Sequence, residues 1–179
     1  MNRAVDIALA LPLLVLTSPV VAVAALAIRL TSEGPALFSQ VRVGRGEVWF
    51  RCRKLRTMVV GAPSGATHEI PKSAVTPIGR ILRKYKIDEL PQFWNVLVGE
   101  MSLIGPRPCL PQQDKLVGLR RKLDVYSIRP GITGLAQVRG IDMSHPAACA
   151  AADAEYLRTV SAGLDVRILL RTAFPSRGR

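Results

Sequence analysis

Apolar residues run from position 7 to position 28 without a charge, with Arg3 and Asp6 ahead of the run and Arg29 behind it. As a straight helix this segment would be about 33 Å long, close to the thickness of a bilayer core. Its middle reads Thr17-Ser18-Pro19. Pro19 has no N–H for the Val15 carbonyl and its ring crowds that group, while the hydroxyls of Thr17 and Ser18 can satisfy carbonyls so freed. A break at Ser18-Pro19 divides the run into arms over residues 7–16 and 20–28. Each arm is about 14–15 Å long, too short to cross a bilayer alone. Such a re-entrant, helix-break-helix segment enters one leaflet and leaves on the same face, and positive charge at both ends agrees with both remaining cytoplasmic. A kinked spanning helix fits the same residues. A cleaved signal peptide is a third reading, with small residues at Val21-Ala22-Val23-Ala24-Ala25, but the run exceeds an ordinary apolar h-region.

Beyond the run, the pattern changes period. Residues 35–53 alternate around a Gly44-Arg45-Gly46 turn and predict a small β-hairpin. Residues 61–72 mix Gly, Pro, Ser and Thr and predict a loop. Pro77 opens a basic amphipathic helix with Ile78, Ile81, Leu82 and Tyr85 on one face and Arg80, Arg83, Lys84 and Lys86 elsewhere. That pattern suits a helix lying on an anionic membrane surface, and equally a solvated helix packing its stripe on a core. Further helices are expected over residues 91–98, ended by Gly99, then over 111–125, 147–161 and 165–174, with a turn-rich loop at 129–134. The chain is therefore expected to be α+β and predominantly helical. Residues 1–30 would form a membrane element and residues 31–179 one cytoplasmic body.

Charge sharpens this picture. The 179 residues carry a formal net charge of +12, which points to an anionic partner: nucleic acid, acidic lipid or a phosphorylated substrate. Aromatic residues make up 5%, thin for a protein that stacks bases on rings. Cys52, Cys109 and Cys149 are scattered and unpaired in motif, and with only His68 and His145 available a zinc site is not expected. Free thiols fit a reducing compartment.

Against this cationic background, Asp88-Glu89 is the only pair of adjacent acids. Basic residues precede it and a predicted helix N-terminus follows, and both favour the carboxylate form. An ionised Asp in such surroundings can attack phosphorus. The same pair can instead simply cap the following helix. Basic candidates are Arg51, Arg53, Lys54 and Arg56 at the end of the hairpin, and Arg107, whose two flanking prolines stiffen the backbone as a phosphate clamp requires. No Walker loop is present, and Gly44-Arg45-Gly46 lacks the spacing of a dinucleotide fingerprint.

Taken in order, the words form a set. Ser18-Pro19, Gly34-Pro35, Gln40-Val41-Arg42-Val43-Gly44 and Lys54-Leu55-Arg56-Thr57-Met58 are followed by Asp88-Glu89-Leu90-Pro91-Gln92 with Asn95-Val96. Then come Met101-Ser102-Leu103-Ile104-Gly105-Pro106-Arg107-Pro108, Arg129-Pro130-Gly131-Ile132-Thr133-Gly134 and Asp165. The chain resembles the bacterial sugar transferases, the monotopic polyprenol-phosphate phosphoglycosyl transferases, and looks like the short form that carries only the catalytic unit.

The resemblance implies that Asp88 is the nucleophile, that Glu89 assists it, and that both carboxylates meet a magnesium ion. It implies that Lys54, Arg83 and Arg107 hold phosphate oxygens, with Arg56 beside them, and that Ser18-Pro19 breaks a re-entrant helix in the cytoplasmic leaflet. Many members carry an Arg just after the Gly matching Gly140. This chain has Ile141 there and Arg139 earlier, so Arg139 is the candidate for that contact. The expected reaction takes a phosphosugar from a UDP-sugar, through a covalent aspartyl-phosphosugar, to a polyprenyl (undecaprenyl) phosphate, releasing UMP and initiating a bacterial surface glycan. The expected location is the inner membrane, catalytic body on the cytoplasmic face. Nucleic acid is not an expected partner, and a homodimer is left open. A membrane-anchored nucleic-acid binder or a lipid-bound scaffold would also use the charge, but neither needs the acidic dyad or the proline-flanked Arg107.

Overall fold

A computed structural model describes residues 2–63 and 71–174. Helix α1 spans Arg3–Thr31 and is capped by the Asn2 side chain, which accepts from the backbone N–H of Ala4. It runs through Pro12 and Pro19 as one element, so the expected break at Ser18-Pro19 does not interrupt the helix. The reason is local. Pro19 offers no N–H to the Val15 carbonyl, and the Ser18 hydroxyl donates to that oxygen at 2.8 Å instead. The Thr17 hydroxyl reinforces the same turn by donating to Leu13 O at 2.6 Å.

Both ends of α1 are fastened to the rest of the chain. Arg3 donates to the carbonyls of Val96 and Leu97 at 2.5 and 2.6 Å. The fully buried Asp6 accepts from the Ser102 hydroxyl and the Leu103 N–H, both at 2.9 Å. Near the other end, Ala24 and Ile28 bury against Ala36, Leu55 and Leu82. Between these anchors Leu11, Val15, Leu16, Val20 and Val23 are exposed. They form an apolar surface with no protein partner among the described residues.

The hairpin forms as expected. Strand β1, Leu37–Val43, pairs antiparallel with β2, Trp49–Leu55, and the register sets Phe38 opposite Lys54, Gln40 opposite Cys52 and Arg42 opposite Phe50. Because side chains alternate along a strand, these six share one face. Phe50 and Cys52 sink into the core, whereas Phe38, Gln40 and Lys54 are only partly covered or exposed.

Helix α2, Pro77–Lys84, is capped by Thr76, and α3, Gln92–Val98, ends on Gly99 in the left-handed conformation. The apolar stripe of α2 divides: Ile78 and Leu82 pack on the cluster with Ile28, while Ile81 and Tyr85 stay exposed. Strand β3, Ser102–Ile104, pairs in parallel with β4, Gly131–Thr133, where a turn-rich loop was expected. Three-residue strands leave no periodic signal, and their pairing spans a long stretch of chain. Their approach needs glycine: a Cβ on Gly131 would stand 2.1 Å from Gly105 N.

Helix α4, Asp114–Lys122, and α6, Pro146–Thr159, pack together, joined by the short α5, Leu135–Val138, and followed by α7, Ala162–Ala173. The central core gathers Phe50, Cys52, Val96, Met101, Leu103, Ile104, Leu135, Tyr156 and Ile168 around Ala10 of α1. All three cysteines are buried free thiols. The predicted loop at 61–72 lies largely outside the described residues.

Candidate active site

One cavity of about 530 Å³ opens beside the hairpin. The chain reaches its floor through a sharp turn. After α2, Lys86 takes the left-handed conformation (φ +55°), and residues Ile87–Glu89 form a single 3-10 turn that delivers Asp88 and Glu89 before α3 begins. Neither carboxylate caps α3, whose N-cap residue Pro91 has no side-chain cap bond. That leaves the dyad free for other work.

The two acids have unlike surroundings. Glu89 Oε1 accepts from Lys54 Nζ at 2.9 Å and from Arg107 Nη2 at 2.5 Å. Burial works to raise its pKa, but the charges and hydrogen bonds of Arg107 and Lys54 outweigh burial and hold the Glu89 carboxyl far below the usual range. Asp88 is 8% exposed, and no side chain among the described residues donates a hydrogen bond to it. Burial, and secondarily the charge of Glu89, push the Asp88 carboxyl up, against the opposing pull of Lys54 and Arg83. The neighbouring cations do favour its carboxylate form, as expected, but burial and the Glu89 charge act more strongly in the other direction. A buried carboxylate with few hydrogen bonds is a stronger nucleophile than a hydrated one.

The cations are placed by bonds from far along the chain. Arg107 is anchored by its own carbonyl, which accepts from Arg120 Nη1 at 2.8 Å. Arg120 is buried and paired with Asp153 at 2.6 Å. Arg83 lines the cavity from α2 and donates to Thr57 Oγ1 at 2.9 Å.

Arg56 also lines the cavity, but its guanidinium donates to the carbonyls of Pro35, Ser32 and Gly34, strapping the end of β2 to the chain leaving α1. Its remaining Nη1 is buried without a partner among the described residues. Arg139 is not at the cavity. It forms a two-pronged pair with Glu155 at the surface, at 2.5 and 2.6 Å, and Ile141 packs beside Cys109 and Leu116.

Arg42 and Gln40 join the cavity wall and were not singled out as site residues. Arg42 is buried and donates to Pro108 O at 3.0 Å and to Gln40 Oε1 at 2.6 Å. The signal was present in the alternation of β1, which puts Phe38, Gln40 and Arg42 on one face. It pointed at this cavity only once the register set that face against Lys54.

The family model for bacterial sugar transferases matches residues 1–176. The chain belongs to that family. Among its family relatives is the UDP-glucose:undecaprenyl-phosphate glucose-1-phosphate transferase of Caulobacter vibrioides, 44% identical over 96% of this chain and 67% of that protein. The UDP-N-acetylgalactosamine-undecaprenyl-phosphate N-acetylgalactosaminephosphotransferase of Aeromonas hydrophila is 38% identical over 96% of this chain and 42% of its own length. The exopolysaccharide production protein PSS of Rhizobium leguminosarum is 36% identical over 96% of this chain and 92% of its own. The chain thus spans about two thirds of the first of these proteins, under half of the second and nearly all of the third.

The donor set also fits a hard cation. Both bonds to Glu89 fall on Oε1, so Oε2 takes no side-chain hydrogen bond among the described residues, and Asp88 and Glu89 both line the cavity. Magnesium accepts one or two carboxylates and completes its shell with phosphate oxygens and water. Among the described residues no group of three acids, histidines or cysteines could cage a metal alone. Any such ion would depend on the substrate for its remaining ligands.

Proposed function

We propose that this protein transfers a phosphosugar from a UDP-sugar to a polyprenyl phosphate such as undecaprenyl phosphate, with Asp88 as nucleophile. The observation that carries the reading is the asymmetry of the dyad: Glu89 is clamped by Lys54 and Arg107 while Asp88, in the wall of the same cationic cavity, has no side-chain hydrogen-bond partner among the described residues. An Asp Oδ attacks the sugar-linked phosphorus, the bond from that phosphorus to the oxygen of UMP breaks, and UMP leaves with the electron pair. An oxygen of the polyprenyl phosphate then attacks the same phosphorus. The bond to Asp88 breaks, which frees the carboxylate and forms the lipid diphosphate-sugar.

Within this reaction Arg83 and Lys54 offset phosphate charge, and Arg107, held at its backbone by Arg120, keeps Glu89 ionised and in place. Asp88 and Glu89 would hold magnesium, which supplies further charge neutralisation when bound.

Membrane placement belongs to the same reading. Exposed apolar residues in the middle of α1, with both of its ends docked on one body, support insertion into a single leaflet rather than a crossing. Arg3 and Arg29 at the two ends support the cytoplasmic side of the inner membrane. Ile81 and Tyr85, exposed on the basic helix α2, support its lying at the interface. The names of the relatives support a role in polysaccharide assembly.

The deciding experiment is intact-mass measurement of the protein incubated with UDP-glucose or UDP-N-acetylgalactosamine and magnesium, without acceptor. A gain of one sugar phosphate on Asp88, with UMP released in equal amount, is expected. An active protein that never gains that mass overturns the covalent route.

A further inference from the structure

The cavity is chemically two-ended, and the hairpin gives it a direction. Arg42 lies at the end marked by Arg107 and Pro108, whereas Phe38 lies at the end where the chain arrives from α1 through Gly34 and Pro35. Four residue steps along the strand separate them, about 13 Å. At the Phe38 end Phe38, Met58, Val59, Val60, Ala62 and Pro63 give the wall an apolar stretch, beside an Arg56 guanidinium that is bonded to the carbonyls of Pro35, Ser32 and Gly34. Phe38, Val59 and Val60 are 46%, 48% and 65% exposed. Val60 also lies against the connection leaving α1, since a Cβ on Gly34 would come within 2.8 Å of its Cγ2. The apolar end of the cavity therefore adjoins the apolar helix.

Such a wall can offer a nucleotide sugar a stacking face for its base but no partners for its phosphates and sugar hydroxyls. A ligand with a phosphate at one end and hydrocarbon behind it matches a cationic floor that leads to an apolar mouth. Resting on the transferase reading above, we propose that Phe38, Met58, Val59, Val60, Ala62 and Pro63 form the subsite for the isoprene units next to the acceptor's phosphate. The phosphate reaches Asp88 past Lys54 and Arg83, and the remaining hydrocarbon runs along α1 into the bilayer. Met58 gives the wall a side chain flexible enough to follow an irregular polyprenyl chain.

The test uses the full chain in lipid nanodiscs and the double variant Val59→Ser/Val60→Ser. Two quantities are measured: the KM for undecaprenyl phosphate, and the UMP released from UDP-glucose or UDP-N-acetylgalactosamine without acceptor. The expected result is a rise of about tenfold in acceptor KM, equivalent to the loss of one good apolar contact, with donor-only UMP release at the wild-type amount. An unchanged acceptor KM overturns the subsite. So does loss of donor-only release, which would place these side chains at the donor or in the fold. Wild-type protein that releases no UMP from either donor, with or without acceptor, overturns the transferase reading itself and is distinguishable from both.

Discussion

Arg107 closes on Glu89 and not on Asp88: its Nη2 lies 2.5 Å from Glu89 Oε1, on the same oxygen that accepts from Lys54. Two cations therefore neutralise one acid, while its buried neighbour lines the same cavity without a side-chain hydrogen bond among the described residues. Replacing Arg107 with Met should lower kcat by about 10²–10³, the usual loss when a preorganised charge is removed from a buried site. Asp88→Asn should abolish turnover and adduct together. Steady-state rates and intact mass, taken on both variants, separate the supporting role from the nucleophilic one.

The pH profile follows from the raised Asp88 carboxyl. The attacking form is the anion, so activity is present above the folded pKa and lost as pH falls through it. Because burial raises that pKa, the acid limb of the Asp88 titration, followed in the magnesium-free protein, should lie above the value near 3.9 of an ordinary Asp. Arg83 pulls in the opposite direction, so Arg83→Gln should move the limb to still higher pH. An unmoved limb would show that Arg83 does not act on Asp88 by charge.

Gly79 sits where α2 touches the backbone after β2. A Cβ there would stand 2.1 Å from Thr57 O, so Gly79→Ala must displace α2, and with it the bond from Arg83 to Thr57. A loss of about 1–3 kcal/mol in stability is expected, with reduced activity. Gly118, on α4, has nothing within 4 Å of such an atom. Gly118→Ala should raise stability by up to about 1 kcal/mol, since alanine is the better helix former. Thermal melts of the two variants should shift in opposite directions.

Arg120 and Asp153 form a buried pair whose third bond serves the site. Arg120→Met alone leaves Asp153 buried and unpaired and should cost about 3–5 kcal/mol. Adding Asp153→Leu should restore much of that stability, because two apolar residues can replace a buried ion pair. Activity should not recover with it, since the Arg107 carbonyl still lacks its donor. Stability and kcat measured on the same double variant check both statements.

Much of the architecture was legible along the chain because it rests on short-range physics. The length of the apolar run, the alternation around Gly44-Arg45-Gly46, and the proline and glycine limits of α2 and α3 each depend on residues a few positions apart. The acidic dyad was likewise visible as the one adjacent pair in a basic chain. Local rules also misled. Pro19 signalled a broken helix, but one serine hydroxyl replaces the missing donor and the helix continues.

The rest required contacts between distant positions. Which acid is clamped and which is free, why Arg56 serves as a strap while Arg83 faces the cavity, and how Arg120 reaches Arg107 are all set by side chains that meet only after folding. The pairing of β3 with β4 is of the same kind. Periodicity reports which face a residue occupies, because that depends on the geometry of its own helix or strand. It does not report what lies opposite that face. For a reactive carboxylate the opposite side decides, since burial and the nearest charges determine whether an acid is a counter-ion or a nucleophile.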